Sequence, residues 1–386
     1  MVRHVLLWSF LAGLATSQLS PCADIPDVTD FNNPKLVDPF TFLNGSTVAT
    51  KDGWACRQEE IKAIFHRYEL GPKPEPEEVT ASFTNNALSI TVQSEGKSIS
   101  FSASIRFPSG NGPFPALIAL GGASIPVPSG VAVITYNNED IAVTNPRGRG
   151  KFYDLYGSDH QAGGLIAWAW GVSRIVDALE QLGATTTKIN PERVAVTGCS
   201  RNGKGAMMSG AFDTRIRLTI PQEAGSGGIS VWRIAAEMKQ NGTDVEDAAQ
   251  VVTGDGWFAT EFEKYVDDIA TLPEDHHLLA GLVAPRPLLV VENSGIDYLA
   301  PIGSFGGATA AKMIYGALGA ADSIGFSQVA HGTSHCSMPS SQNPDVAAYF
   351  NRFLLDQEAD TDIFKTDRDF DFDNARWIDW TAPELS

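Results

Sequence analysis

The sequence predicts an α/β fold in which a mostly parallel sheet is sandwiched between two layers of helices. Three observations indicate this class: short apolar runs bounded by Gly or Pro, longer amphipathic stretches, and the regular alternation of the two along the chain. Short, continuously apolar strands are typical of parallel sheets whose two faces are both covered by helices.

The individual elements follow from the spacing of apolar residues. Residues 101–107 alternate apolar and polar side chains with the period of two that a half-buried strand requires. Shorter buried runs predict six further strands, at 115–120, 130–135, 193–197, 218–221, 287–292 and 324–329. Amphipathic stretches predict helices at 162–182, 202–212, 308–318 and 344–355.

The N-terminus has the pattern of a secretory signal peptide. A short basic segment precedes the apolar run 5–15, and small polar residues follow it, so we predict a signal peptide at 1–17. An N-terminal anchor is the alternative, but the run is too short to span a bilayer as a helix. We expect residues 18–386 to form one secreted, extracellular domain that is monomeric and unattached to membranes, with glycosylation sequons at Asn44 and Asn241.

The charge of the chain excludes one class of partner. The net charge of −18 argues against nucleic acid, whose binding is driven by basic patches. Part of the acidity lies near the C-terminus, where Asp residues alternate with Phe and Trp. We predict that about 356–386 form an acidic surface strap held by aromatic anchors, because the segment lacks the Gly and the final Glu of a calcium loop.

A serine lies at the turn between a predicted strand and a predicted helix. The stretch Gly198-Cys-Ser-Arg-Asn-Gly203 contains the small residues that let a strand and a helix approach each other closely. This is typical of the nucleophile elbow of α/β-hydrolases, although the spacing is one residue longer than G-x-S-x-G. A serine that caps a helix is the structural alternative. We predict Ser200 as the nucleophile of a three-layer αβα hydrolase fold.

A serine nucleophile needs a histidine base and a carboxylate that orients the base. In this fold both follow the serine, the acid first. His331 and His335 come just after the last predicted strand, where the base is expected, whereas the pair at 276–277 precedes a helix and is interpreted as structural. Glu223 and Glu292 each lie at the end of a predicted strand, so both are candidates for the acid.

Four cysteines in a secreted chain suggest two disulfides, for which three pairings are possible. Cys199 precedes the predicted nucleophile and Cys336 follows His335. A bridge between them would fix the distance on which proton transfer depends. We therefore predict a Cys199–Cys336 bridge, leave Cys22 to pair with Cys56, and select His335 as the base.

Five motifs together carry a family resemblance. They are GCSRNGK at 198–204, PQE at 221–223, DHHLLA at 275–280, GFSQ at 325–328 and HCSMPSSQ at 335–342. This set resembles the fungal glucuronoyl esterases of carbohydrate esterase family 15 over nearly the whole mature chain. The resemblance implies an α/β-hydrolase that cleaves the ester between 4-O-methyl-D-glucuronic acid of glucuronoxylan and lignin alcohols.

The resemblance also implies roles for individual residues. Ser200 would be the nucleophile, Glu223 the acid and His335 the base. Arg201 would lie at the oxyanion site, and Lys204 would contact hydroxyl groups of the sugar. It supports both disulfides, and neither a metal nor a cofactor is expected.

The predicted sugar pocket departs from the family pattern. Where the family has Gln, Glu and Trp, this sequence has Glu246, Gly254 and Tyr298. Asp255 would replace the missing acid if the loop shifts, so we predict that Glu246, Tyr298 and Asp255 bind substrate. Two other functions remain open: a different carboxylesterase with the same triad, such as an acetyl xylan esterase, and a carbohydrate-binding protein without catalysis.

Overall fold

The structure of the protein is a computed structural model that describes Cys22, residues 25–26 and residues 28–386. The signal peptide predicted at 1–17 lies outside the described residues. Within the described ranges, none of the helices combines the length and the apolar character that crossing a membrane requires.

The described part of the chain is organised around one sheet of ten strands. Their bounds are β1 Glu78–Thr84, β2 Ala87–Ser94, β3 Lys97–Arg106, β4 Phe114–Leu120, β5 Ala132–Tyr136, β6 Ile189–Cys199, β7 Leu218–Gln222, β8 Leu288–Glu292, β9 Ile324–Gln328 and β10 Phe364–Thr366. The spatial order is β1-β2-β3-β5-β4-β6-β7-β8-β9-β10. In this spatial order, every pair from β5 through β4 to β10 is parallel. The pairs β1-β2, β2-β3 and β3-β5 at the other end are antiparallel.

Helices connect the strands. Their bounds are α1 Lys51–Tyr68, α2 Asn138–Ile141, α3 Lys151–Tyr156, α4 Gly164–Thr187, α5 Arg201–Phe212, α6 Trp232–Gln240, α7 Ala248–Gly254, α8 His277–Val283, α9 Pro301–Ala317, α10 Asn343–Phe353 and α11 Asn374–Trp377. Short 3₁₀ turns lie at Thr260–Lys264, Ile269–Thr271, Asp297–Leu299, Ala321–Ser323 and Ser340–Gln342. The alternation of strands and helices confirms the predicted α/β class.

Successive side chains of a central strand enter two different cores. On β4, Ile118 belongs to the larger core, which also contains Trp168 of α4 and Met207 of α5. Its neighbour Leu117 belongs to a second core that contains Tyr349 of α10. Because neighbouring side chains of a strand point to opposite faces, helices cover both faces of the sheet. The carboxyl ends of β6 to β9 therefore share one edge, where the loops after these strands meet.

The C-terminal segment 356–386 packs along the surface through aromatic side chains. Trp377 and Trp380 are buried, and Trp380 Nε1 donates a hydrogen bond to Leu36 O at 3.0 Å. Phe372 packs on Phe305 of α9 with the ring centres 5.6 Å apart. Most of the Asp side chains between these anchors are exposed.

Candidate active site

The predicted nucleophile lies on a sharp turn between β6 and α5. Ser200 has a φ of 60°, an uncommon conformation for a residue with a side chain. The turn needs glycine on both sides: a Cβ on Gly198 would overlap Asn202 O, and a Cβ on Gly203 would lie 2.6 Å from Gln222 O. This strand, turn and helix have the geometry of a nucleophile elbow.

His335 contacts Glu223 directly. The His335 Nδ1 atom lies 2.8 Å from Glu223 Oε2, which also accepts a hydrogen bond from Cys336 N at 2.9 Å. Glu223 follows β7, and its side chain is 1% exposed, whereas that of His335 is 36% exposed. A buried carboxylate on Nδ1 fixes the tautomer, which leaves Nε2 as the nitrogen that can accept a proton.

The second histidine of the loop also contacts this acid, which sequence reasoning did not anticipate. His331 Nε2 lies 3.2 Å from Glu223 Oε1, and His331 Nδ1 lies 3.0 Å from Val329 O. Burial alone would raise the pKa of Glu223, but hydrogen bonds from His335 and Cys336 and the charge of His331 outweigh it, so the pKa is lowered. Glu223 is therefore held in its ionised form.

Both predicted disulfides are present. Cys22 bonds to Cys56 of α1, and Cys199 bonds to Cys336 with 5.7 Å between the Cα atoms. A ring nitrogen of His335 and the two sulfurs of the second bridge lie within 4.8 Å of one another. The bridge thus links the loop of His335 to the residue that precedes Ser200, and its sulfurs are covalently bonded and not available to a metal.

The alternative acid, Glu292, lies in different surroundings. At the end of β8, its Oε1 atom accepts a hydrogen bond from Gly225 N at 3.2 Å. Burial and the neighbouring charge of Glu223 raise the pKa of Glu292 to about 8. Its side chain is therefore mostly uncharged at neutral pH, and the hydrogen bond to His335 is made by Glu223.

Arg201 begins helix α5 directly after Ser200. The first N–H groups of a helix lack partners within it and carry partial positive charge, so the Arg201 backbone is suited to an oxyanion. The Arg201 side chain is 50% exposed, and its Nη2 atom lies 3.5 Å from Glu139 Oε1. The guanidinium group therefore stays at the surface beside the turn.

Lys204 is buried one turn further along α5. Its Nζ atom donates hydrogen bonds to Ala224 O at 2.8 Å, Ser226 O at 2.6 Å and Glu246 Oε2 at 2.7 Å. The ammonium group also lies 5.2 Å from the centre of the Trp257 ring. Since an ammonium group has three N–H donors, these contacts with protein oxygens use all of them. In this arrangement Lys204 is directed to protein oxygens, and its contact with sugar hydroxyls stays a prediction.

The other predicted pocket residues surround this ion pair. The Tyr298 hydroxyl lies 3.4 Å from Glu246 Oε1, and burial with the charge of Glu246 raises the pKa of Tyr298 to about 12. Burial also raises the pKa of Asp255, with Glu246 acting in the same direction and Arg201 against it. Gly254 is exposed, and open space surrounds the position of a Cβ. Tyr298 and Asp255 thus join Lys204 and Glu246 in one polar group near Arg201.

Comparison with known proteins identifies the family. A protein-family model described as "Glucuronyl esterase, fungi" matches residues 90–319. A relative from Podospora anserina, named 4-O-methyl-glucuronoyl methylesterase, is 53% identical over 362 residues, which cover 91% of this chain and 75% of the relative.

Solved structures with the same fold lead to the same family. The glucuronoyl esterase catalytic domain from Hypocrea jecorina is 49% identical, with a TM-score of 0.90 over 94% of this chain and 100% of that one. A serine-to-alanine mutant of the glucuronoyl esterase from Sporotrichum thermophile, in complex with methyl 4-O-methyl-beta-D-glucopyranuronate, is 49% identical, with a TM-score of 0.89 over 92% and 97% of the two chains. The chain therefore belongs to the fungal glucuronoyl esterase family and is a carboxylic ester hydrolase with the α/β-hydrolase fold.

Proposed function

We propose that this protein hydrolyses the ester between 4-O-methyl-D-glucuronic acid of glucuronoxylan and alcohols of lignin. The observation that carries the proposal is the contact between His335 Nδ1 and the buried Glu223. The loop that contains His335 is bridged by Cys336 to Cys199, the residue before Ser200. The methyl 4-O-methyl-glucopyranuronate bound by a relative of 49% identity supports the acyl group.

The reaction would proceed through a covalent acyl-enzyme. His335 Nε2 accepts the proton of Ser200 Oγ as this oxygen attacks the uronate carbonyl carbon. The tetrahedral intermediate collapses, and the alcohol leaves with that proton. Water then attacks the acyl-enzyme with the help of the same histidine, and the free uronic acid and Ser200 are released. Glu223 stays ionised throughout and stabilises the imidazolium form of His335.

The start of α5 would stabilise the negative charge of the intermediate. The backbone N–H of Arg201 follows Ser200 directly, in the position that supplies one oxyanion donor in this fold. Its guanidinium group lies at the surface, where it adds positive charge without being buried. Such preorganised donors contribute about 3 to 4 kcal/mol each to the lowering of an acyl-transfer barrier.

The sugar would bind beside the buried pair of Lys204 and Glu246. We propose that Glu246 Oε1 and the Tyr298 hydroxyl contact sugar hydroxyls together with Lys204, whose N–H groups are directed to protein oxygens in this structure. Lys204 would also act through Glu246, by holding its carboxylate in place. Asp255 would supply a further acceptor at the rim.

Two side chains of the site are accessible from outside, which suits a polymeric substrate. Those of Arg201 and His335 are 50% and 36% exposed. A substituent on a long polysaccharide needs an open groove and cannot enter a closed cavity. We also propose secretion, supported by the two disulfides, and glycosylation at Asn44 and Asn241, which are both exposed.

A direct comparison of substrates tests the proposal. The protein should hydrolyse a benzyl ester of 4-O-methyl-glucuronic acid with a much higher kcat/KM than an acetyl ester of xylose. Ser200→Ala should lower turnover by about three orders of magnitude or more, while its circular dichroism spectrum stays that of the wild type. His335→Ala should behave in the same way.

Two other results would favour the alternatives. A higher kcat/KM for the acetyl ester would indicate another carboxylesterase with the same triad. Binding of the glucuronate ester without turnover would indicate a carbohydrate-binding protein. Retention of more than about a tenth of the activity by Ser200→Ala would contradict the assignment of the nucleophile.

A further inference from the structure

A cluster of three ionisable side chains lies deep in the protein, away from the triad. Glu69 follows α1, whereas Glu274 and His276 precede α8, and all three side chains are completely buried. One ligand atom from each lies within 4.8 Å of the other two. The proposed catalytic steps use none of these groups.

The ring of His276 is held in one orientation. Its Nδ1 atom lies 2.8 Å from Gly228 O, and its Nε2 atom lies 2.8 Å from Glu69 Oε1. A carbonyl oxygen only accepts hydrogen bonds, so Nδ1 carries the proton of the neutral ring. Nε2 therefore presents a lone pair to the cluster, which is how metal-binding histidines are commonly oriented.

Among the described residues, no Lys or Arg forms an ion pair with the carboxylates of the cluster. Both oxygens of Glu274 are buried, neither accepts a hydrogen bond from a described donor, and one of them lies within 4.8 Å of the ligand atoms of Glu69 and His276. Asp275 does not share this need, because it pairs with Arg233 at 3.1 Å. Glu69 and Glu274 are therefore two completely buried acids within reach of each other. Such a group of acids must bind either protons or a cation.

We propose that Glu69, Glu274 and His276 bind one divalent zinc ion at a structural site. Glu69, Glu274 and His276 each offer one ligand atom to a common position, and a water molecule would complete the four ligands of tetrahedral zinc. A divalent ion would balance both carboxylate charges at once. The mixture of imidazole and carboxylate fits zinc better than calcium, which prefers six or more oxygens.

Neighbouring groups fit the role of supporting the ligands. Trp232 Nε1, at the start of α6, lies 3.4 Å from Glu69 Oε2, the oxygen that does not face His276. The carbonyl that fixes His276 belongs to Gly228, in the loop that follows Glu223. A zinc ion here would therefore join the ends of α1 and α8 to the segment that leads away from the catalytic acid.

The zinc content of the folded protein tests the proposal. The full chain would be expressed in zinc-containing medium, washed with EDTA to remove surface ions, and measured by inductively coupled plasma mass spectrometry. We expect about one zinc per chain, as for a single structural site. X-ray absorption at the zinc edge should show only nitrogen and oxygen neighbours.

Matched variants identify the ligands. Glu274→Gln keeps the size of the side chain but removes its charge, and it should lose the zinc. Glu358→Gln, in the exposed C-terminal segment, should keep it. If Glu274→Gln is not secreted, Glu69→Gln serves the same purpose.

Two outcomes would overturn the proposal. One is a wild-type protein that holds no more zinc than the Glu274→Gln variant. The other is an infrared carbonyl band of a protonated carboxyl group in the wild-type protein that disappears in Glu274→Gln, which would show that shared protons balance the cluster. Because Ser200→Ala abolishes turnover without touching the cluster, its zinc content separates this proposal from that of the catalytic function.

Discussion

Glu223 Oε2 lies 2.8 Å from His335 Nδ1, whereas the carboxylate of Glu292 bonds to the backbone of Gly225. The acid that orients the histidine thus follows β7, one strand earlier in the chain than β8, which carries the alternative. The choice between two carboxylates that the sequence leaves open becomes a question about one hydrogen bond.

The first prediction concerns this choice. Glu223→Gln should lower kcat by about two to four orders of magnitude, because the imidazolium loses its ionised partner. Glu292→Gln is the matched control and should change kcat by less than about tenfold, since an uncharged side chain is replaced by one of the same size. Steady-state kinetics on a benzyl glucuronate ester provides the measurement. A large loss at Glu292 with little loss at Glu223 would reverse the assignment.

The second prediction uses the raised pKa of Glu292. Its pKa rises from 4.5 to about 8 on folding, so the folded state holds this proton more tightly than the unfolded state. The stabilisation is complete below 4.5 and is lost as the pH rises through about 8. As the pH rises between these values, the melting temperature of Glu292→Gln should therefore fall by less than that of the wild type. The idea would be refuted if the melting temperatures of both proteins changed by the same amount over this pH range.

The third prediction concerns His331. One ring nitrogen lies 3.0 Å from Val329 O and the other 3.2 Å from Glu223 Oε1, so loss of the ring removes a hydrogen-bond partner of the ionised acid. His331→Leu should lower kcat/KM by roughly tenfold, the cost of one charge-assisted hydrogen bond.

A purely structural role for His331 predicts a different result. In that case the melting temperature of His331→Leu would fall while its kcat/KM, measured well below that temperature, stayed near the wild-type value. His331→Gln retains a hydrogen-bond donor and should keep more of the wild-type kcat/KM than His331→Leu if the contact with Glu223 is what matters.

The secondary structure was predictable from sequence where apolar residues follow one clear period. The strand predicted at 193–197 is the centre of β6, and the helix predicted at 202–212 is nearly all of α5. Helix α9 begins seven residues before the predicted start, because its first turns are rich in glycine, a poor helix former. Gly307 is required by a tertiary contact, because a Cβ at this position would overlap Ile229 O.

Other features depend on partners that are distant in sequence. Helix α1 is not predicted by the sequence analysis. Its buried face includes the ion pair of Arg57 and Glu60, and these charged residues interrupt the apolar pattern that would indicate an amphipathic helix. The burial of Lys204 depends on Glu246, 42 residues away. A lysine after a helix start is ordinarily exposed, so only the fold reveals that its charge is already used.

The fourth prediction separates the two disulfides by function. In the chain-entropy model, the Cys199–Cys336 bridge contributes about 5 kcal/mol to the free energy of unfolding and the Cys22–Cys56 bridge about 4 kcal/mol. Replacing either pair with serine should therefore lower the melting temperature by a similar amount. Only the loss of Cys199–Cys336 should also lower kcat, because it frees the loop of His335. Equal effects on kcat, measured well below both melting temperatures, would show that the bridge has no positioning role.

The last prediction concerns the buried pair of Lys204 and Glu246. Lys204→Ala leaves the Glu246 carboxylate buried without its cation and should lower the free energy of unfolding by about 3 to 5 kcal/mol. The double variant Lys204→Ala/Glu246→Gln removes both charges and should recover much of that stability. Denaturant unfolding of Lys204→Ala, Glu246→Gln and the double variant measures the coupling energy between the two side chains.

The same variants test the sugar pocket, because stability and recognition should respond differently. If Glu246 binds sugar hydroxyls, the double variant should keep a low kcat/KM for glucuronate esters even though its stability returns. Hydrolysis of a small simple ester, which does not reach Glu246, should stay near the wild-type rate in Lys204→Ala and in the double variant. If activity on the sugar ester instead returned with stability, the pair would serve only to hold the fold, and the contact with the sugar would have to come from Tyr298 and Asp255.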